Sequence, residues 1–107
     1  MDRLSWIDYG IELAKTASLR SEDPFIQVGC CLFRPDNSIA SLGYNGAPPG
    51  IDIDWSNRDE RRKRVIHAET NALKNIKPQE ADRMFVTLLP CGDCIKNVAS
   101  YGVKQVF

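Results

Sequence analysis

Two short segments, far apart in the chain, restrict its fold more than anything else in the sequence. One is His67-Ala68-Glu69, which contains the only histidine. The other is Pro90-Cys91-Gly92-Asp93-Cys94, which contains two of the four cysteines. A C-x-x-C pair alone suits either a metal or a redox dithiol. A lone histidine is more often a satisfied polar residue than a ligand. Taken together, H-x-E followed by P-C-x-x-C is a specific zinc-binding pattern. The fold must therefore bring an imidazole and two thiolates to one point. His67, Cys91 and Cys94 supply three ligands and leave a fourth position open, as catalytic zinc sites do and structural ones do not.

The remaining cysteines, Cys30 and Cys31, are adjacent within an apolar run. On a strand their side chains point to opposite faces, and a buried hydrophobic role is expected. A disulfide framework belongs to secreted proteins, and the acidic and basic residues among the first twelve do not resemble a secretory leader. A cytoplasmic location is the expectation. The chain has 107 residues, 43% hydrophobic and 26% charged, with a formal net charge of zero. One globular domain spanning residues 1–107 is expected. Zero net charge disfavours a nucleic-acid partner. No apolar run approaches the ~20 residues of a membrane span, so no membrane partner is expected.

Along the chain, Leu4, Ile7, Ile11, Ala14 and Leu19 recur near the helical period, which predicts an amphipathic helix over 4–19. Asp23-Pro24 marks a turn. A buried strand is predicted over 25–33, a turn at Pro35-Asp36-Asn37 and a returning strand over 38–44. A long loop follows, through Trp55, and its length hints at function. The charged run Arg58–Arg64 reads as a solvated helix face or loop, with attraction of a phosphorylated ligand as the functional alternative. A helix is predicted over 65–76, a strand over 83–89, a helix over 93–101 and a last strand over 103–107. This order implies an α/β fold with a mixed central sheet.

Both candidate zinc segments sit where the chain enters a helix, and a helix N-terminus favours thiolates. Two residues apart on a regular helix, His67 and Glu69 diverge by about 200°. They serve one site only if both lie in the first turn and Glu69 folds across it. Glu69 then suits a proton shuttle beside a zinc-activated water. The pattern as a whole is that of zinc-dependent nucleobase deamination. Asn45 is either a turn former or a hydrogen-bonding partner for a sugar hydroxyl. Tyr44 and Trp55 either pack or flank a ligand.

With these residues in view, the chain resembles the deoxycytidylate (dCMP) deaminases of the cytidine deaminase superfamily. The resemblance runs from about Leu4 to Phe107. It is carried by Arg20-Ser21-Glu22-Asp23-Pro24, Gln27-Val28-Gly29, Gly43-Tyr44-Asn45-Gly46, Asp54-Trp55, His67-Ala68-Glu69, Asn71-Ala72 and the segment from Val86 to Cys94. It implies a cytidine-deaminase-like three-layer α/β/α fold and one Zn2+ per chain on His67, Cys91 and Cys94, with Glu69 catalytic. It implies conversion of dCMP to dUMP, with Asn45 and Ala68 at the substrate. It further implies nucleotide or effector contacts from Arg20, Gln27, Gly43, Tyr44 and Gly46. Activation by dCTP, inhibition by dTTP, Mg2+ accompanying a triphosphate effector and a homo-oligomer, in many members a hexamer, come with it.

Three departures stand out. Glu22 occupies a position commonly basic in the family, and Ile51 stands where members with a second zinc have cysteine. Relatives usually continue past the last strand with a further helix and strand, so a domain shortened at the C-terminus, minimal or truncated, is the expectation. The alternatives are a zinc deaminase acting on dCTP, free nucleosides or tRNA adenosine, a non-catalytic zinc module, and a redox dithiol at Cys91 and Cys94.

Overall fold

The computed structural model describes residues 2–107. Its elements are α1 (Trp6–Ser18), β1 (Gly29–Phe33), β2 (Ile39–Tyr44), α2 (Arg58–Arg64), α3 (Ala68–Leu73), β3 (Arg83–Val86), α4 (Gly92–Ser100) and β4 (Gln105–Val106). The strands form one sheet in the order β2-β1-β3-β4. β1 pairs antiparallel with both β2 and β3, whereas β3 and β4 are parallel. The sheet is mixed, as expected. Among the described residues no helix is long and apolar enough to cross a membrane.

The central strand β1 is buried along its whole length. Its alternation assigns residues to two cores. Cys30 and Leu32 join Met84, Ala68, Ala72, Leu73 and Val98, beneath α3 and α4. Cys31 and Phe33 join Phe85 and Ala14, beneath α1. Helices on both faces of the sheet make the three layers. Cys30 and Cys31 are both fully buried, one in each core. Burial raises the Cys31 thiol to about 12 and holds the Cys30 thiol well above its ordinary value, which favours the neutral thiol at both.

Several expected boundaries contract. Residues 25–28 precede β1 without joining it. There the backbone is bound largely to side chains, although the Val28 carbonyl still accepts from the Asn45 backbone amide. Asp23 Oδ1 accepts from the Phe25 and Ile26 amides, and Asn45 Oδ1 accepts from the Val28 amide. The strand expected over 83–89 stops at Val86, although the Thr87 amide still bonds the Gly29 carbonyl. The last strand shortens to two residues.

The face of α1 also differs from the expected stripe. Its buried residues are Gly10, Ala14 and Ala17. Leu4, Ile7 and Leu19 are exposed. The rings of Phe33 and Phe85, 4.8 Å apart, already fill this layer, so small residues face them. A β-carbon at Gly10 would fall 2.4 Å from the Phe85 ring.

Candidate metal centre and active site

The helix expected over 65–76 begins only at Ala68. Ile66 is extended and forms a two-bond bridge with Gly46, at 2.8 and 3.1 Å. That pairing places His67 at the N-cap of α3 and Glu69 in its first turn. The first-turn half of the condition for His67 and Glu69 to share a site is met in this way. On the other side, Pro90 precedes Cys91, which is the N-cap of α4. N-cap side chains ordinarily accept from the first free amides of the helix. Neither His67 nor Cys91 does so. Both side chains are left for another partner.

That partner fits a metal ion. The candidate ligand atoms of His67, Cys91 and Cys94 all lie within 4.8 Å of one another. His67 Nδ1 is 3.0 Å from Cys94 Sγ, and the two sulfurs are 3.3 Å apart. Tetrahedral zinc with N and S ligands needs separations of about 3.5–3.8 Å between ligand atoms, so small side-chain adjustments seat it. The imidazole and two thiols form the N/S donor set that zinc favours. Hydrogen bonding from the backbone and thiol of Cys94 lowers the exposed Cys91 thiol below its ordinary value. Burial pushes Cys94 up to about 12, reinforced by the Cys91 thiol and Glu69. Thiol deprotonation therefore accompanies metal binding.

The metal centre opens into a cavity of about 380 Å³, a size suited to a small ligand. Glu69 lines it while only 4% exposed, which suits a protected proton carrier. Ala68 and Asn45 line the same cavity. Ala68 is 1% exposed, so it offers backbone more than side chain. The amide of Asn45 is largely engaged in holding the wall. Its Oδ1 accepts from the Val28 amide, and its Nδ2 donates to the Ile26 carbonyl at 2.9 Å and to Asp23 Oδ2 at 3.4 Å.

Arg20, Gly43, Tyr44 and Gly46 line a separate cleft of about 560 Å³, together with Glu22, Asn71 and Lys74. The Arg20 guanidinium lies 6.0 Å from the Tyr44 ring centre. Gln27 lines neither space; its side chain donates to the Ser21 carbonyl. Sequence reasoning missed Asp23, which organises the cavity wall, and the contribution of Phe25, Leu88 and Leu89 to the lining. Asp-Pro reads as a turn, and apolar residues beside strands read as core, so local pattern carries no signal for either role.

The sequence profile described as the cytidine and deoxycytidylate deaminase zinc-binding region matches residues 4–107. A human protein named deoxycytidylate deaminase is 36% identical over 98% of this chain and 65% of its own length. The chain thus spans just under two thirds of that curated relative. The apo crystal structure of dCMP deaminase from cyanophage S-TIM5 superposes with a TM-score of 0.78 at 30% identity, covering 98% of this chain and 82% of the other. The same phage enzyme in complex with dCMP and dUMP gives a TM-score of 0.64 at 27% identity, covering 94% and 75%. By profile, sequence and fold together, this chain belongs to the cytidine and deoxycytidylate deaminase zinc-binding family.

Proposed function

We propose that the chain catalyses hydrolytic deamination of dCMP to dUMP. The observation that carries this reading is the convergence of His67, Cys91 and Cys94 beside a cavity that the buried Glu69 also lines. Zinc, when bound, supplies Lewis acidity and a water whose pKa is lowered toward ~7. The chain's own residues supply the rest. His67, Cys91 and Cys94 would hold the ion from two helix N-termini. Glu69 takes the proton that water loses on attacking the amidine carbon of the base, and delivers a proton to the departing nitrogen. The carbon–nitrogen bond breaks, a carbon–oxygen bond replaces it, and ammonia leaves. Ala68 presents its backbone to the base, and Asn45 holds the wall near the sugar.

Replacement of Glu69 by Gln keeps the shape and removes the proton carrier. The expected outcome is retention of about one zinc per chain with turnover lowered by about 10²–10⁴-fold. Elemental analysis and the ultraviolet absorbance change with dCMP check both. Full activity in Glu69→Gln overturns the assignment. Parallel assays on deoxycytidine, dCTP and an anticodon stem-loop test the other zinc deaminase readings. The proposal extends to regulation, because the second cleft combines Arg20 and Lys74 with the Tyr44 ring, which suits a nucleotide triphosphate. Activation by dCTP with Mg2+, inhibition by dTTP, homo-oligomerisation and a cytoplasmic setting belong to that extension.

A further inference from the structure

Three arginines line the cavity alongside the zinc ligands: Arg58, Arg61 and Arg62. They stand at i, i+3 and i+4 on α2, the spacing that places side chains on one helical face. Packing does not account for this face, because α2 buries none of its residues. Ion pairing does not account for it either. Among the described residues Arg64 pairs with Glu60, but Arg58, Arg61 and Arg62 pair with no carboxylate.

The two carboxylates that line the cavity have other tasks. Asp23 accepts from the Phe25 and Ile26 amides and from Asn45. Glu69 lies buried at the head of α3. Meanwhile Arg61 is held in place. Its guanidinium sits 3.9 Å from the centre of the Phe25 ring, and Phe25 is anchored through its amide to Asp23 at 2.8 Å. Stacking on an aromatic ring leaves the guanidinium N–H groups free to donate in the ring plane. Three arginines on one cavity wall, without carboxylate partners, suit a phosphate dianion, which accepts paired hydrogen bonds from a guanidinium fork. Glu22 cannot do this work: it is acidic, lines the second cleft and accepts from the Ala47 amide at 3.1 Å.

We infer that Arg58, Arg61 and Arg62 form the subsite for the 5′-phosphate, so that α2 makes the cavity select a nucleoside monophosphate over the free nucleoside. The inference rests on the deamination proposed for this cavity. Phe25 is a positioning residue that acts through Arg61.

The test uses the zinc-loaded full chain, Arg61→Ala and the Arg58→Ala/Arg61→Ala/Arg62→Ala triple variant. Circular dichroism and zinc content establish that each variant is folded. The expected result is a fall of about ten- to a hundred-fold in the kcat/KM ratio of dCMP to deoxycytidine in Arg61→Ala, and a larger fall in the triple variant. Calorimetry should show the same loss in the preference for dUMP over deoxyuridine, without requiring turnover. Arg61→Lys, which keeps charge but not the planar fork, should fall between wild type and Arg61→Ala. Phe25→Leu should raise KM for dCMP several-fold and leave kcat in place.

An unchanged ratio in the triple variant overturns the inference, as does equal loss for nucleotide and nucleoside. Wild-type protein that turns over neither substrate but binds dUMP over deoxyuridine through these arginines sinks the catalytic reading and leaves the subsite standing. Wild-type protein that binds both products equally, or neither, sinks the subsite.

Discussion

Gly43 shows how far a single position can control the site. A β-carbon there would fall 2.5 Å from the Ala68 carbonyl oxygen and 2.5 Å from the Ala72 nitrogen. The strand thus touches the backbone of α3 beneath the residues that carry the chemistry. Any side chain must push α3 away, and with it His67 and Glu69. Gly43→Ala should destabilise the fold by about 1–3 kcal/mol, the usual cost of overpacking. It should also weaken zinc retention, whereas Gly92→Ala, where a β-carbon meets open space, should not. Denaturant melts and a chelator competition check this. In the sequence, Gly43 reads as the end of a strand and part of the Gly43-Tyr44-Asn45-Gly46 motif, with no sign of its steric role. The steric reason lies in a neighbour that is distant along the chain. His67, Cys91 and Cys94 are legible as a candidate donor set because their identities and spacing already point to a metal chemistry, with Glu69 beside them as the proposed proton carrier.

Elements follow the sequence where their signals are local and depart from it where a partner decides. The turn at Pro35-Asp36-Asn37 could be read directly, since Asn37 adopts a left-handed φ of 69° and Ser38 bonds Asp36. The start of α3 could not, because the Ile66–Gly46 bridge competes with helical periodicity over 65–67. The charged run at 58–64 is a solvated helix as expected, yet one face of it lines the cavity. Another element is tied by charge. Glu80, in the connection from α3 to β3, accepts from the Lys77 amide and from Arg34 Nε and Nη2 at the end of β1. The Lys77 hydrogen bond, and then Arg34, hold its carboxyl below the ordinary 4.5. A carboxyl lowered in the folded state contributes stability above its unfolded value and loses it as pH falls through the folded one. Glu80→Gln should therefore lower Tm near neutral pH, and the difference from wild type should shrink once pH drops below 4.5. Thermal melts of both proteins across that range test the sign.

At the scale of the molecule, the sheet separates two cores with different duties. The α1 side buries Phe33 and Phe85 and stabilises. The opposite side supports α3 and α4, whose N-termini meet at the metal centre. An ion held there would link the two helices and bind the folded chain in preference to the unfolded one. Zinc at about a hundred times its Kd should stabilise by about 2.7 kcal/mol. Stripping it with a chelator should lower Tm, and restoring zinc, but not Mg2+, should recover it, because thiolates select the softer ion. Calorimetric melts decide between this and a metal-indifferent fold. The sequence by itself determined the α/β class and pointed to the donor set of His67, Cys91 and Cys94, with Glu69 as the proposed acid–base residue, since composition, periodicity and ligand chemistry are properties of the residues alone. Tertiary structure decided the register of β1, the true start of α3, the engagement of Asn45 with the wall instead of open space, and the arginine face beside the metal centre. Each of these depends on contacts between segments far apart in the chain, and such contacts outweigh local preference because burial and hydrogen-bond satisfaction act through space.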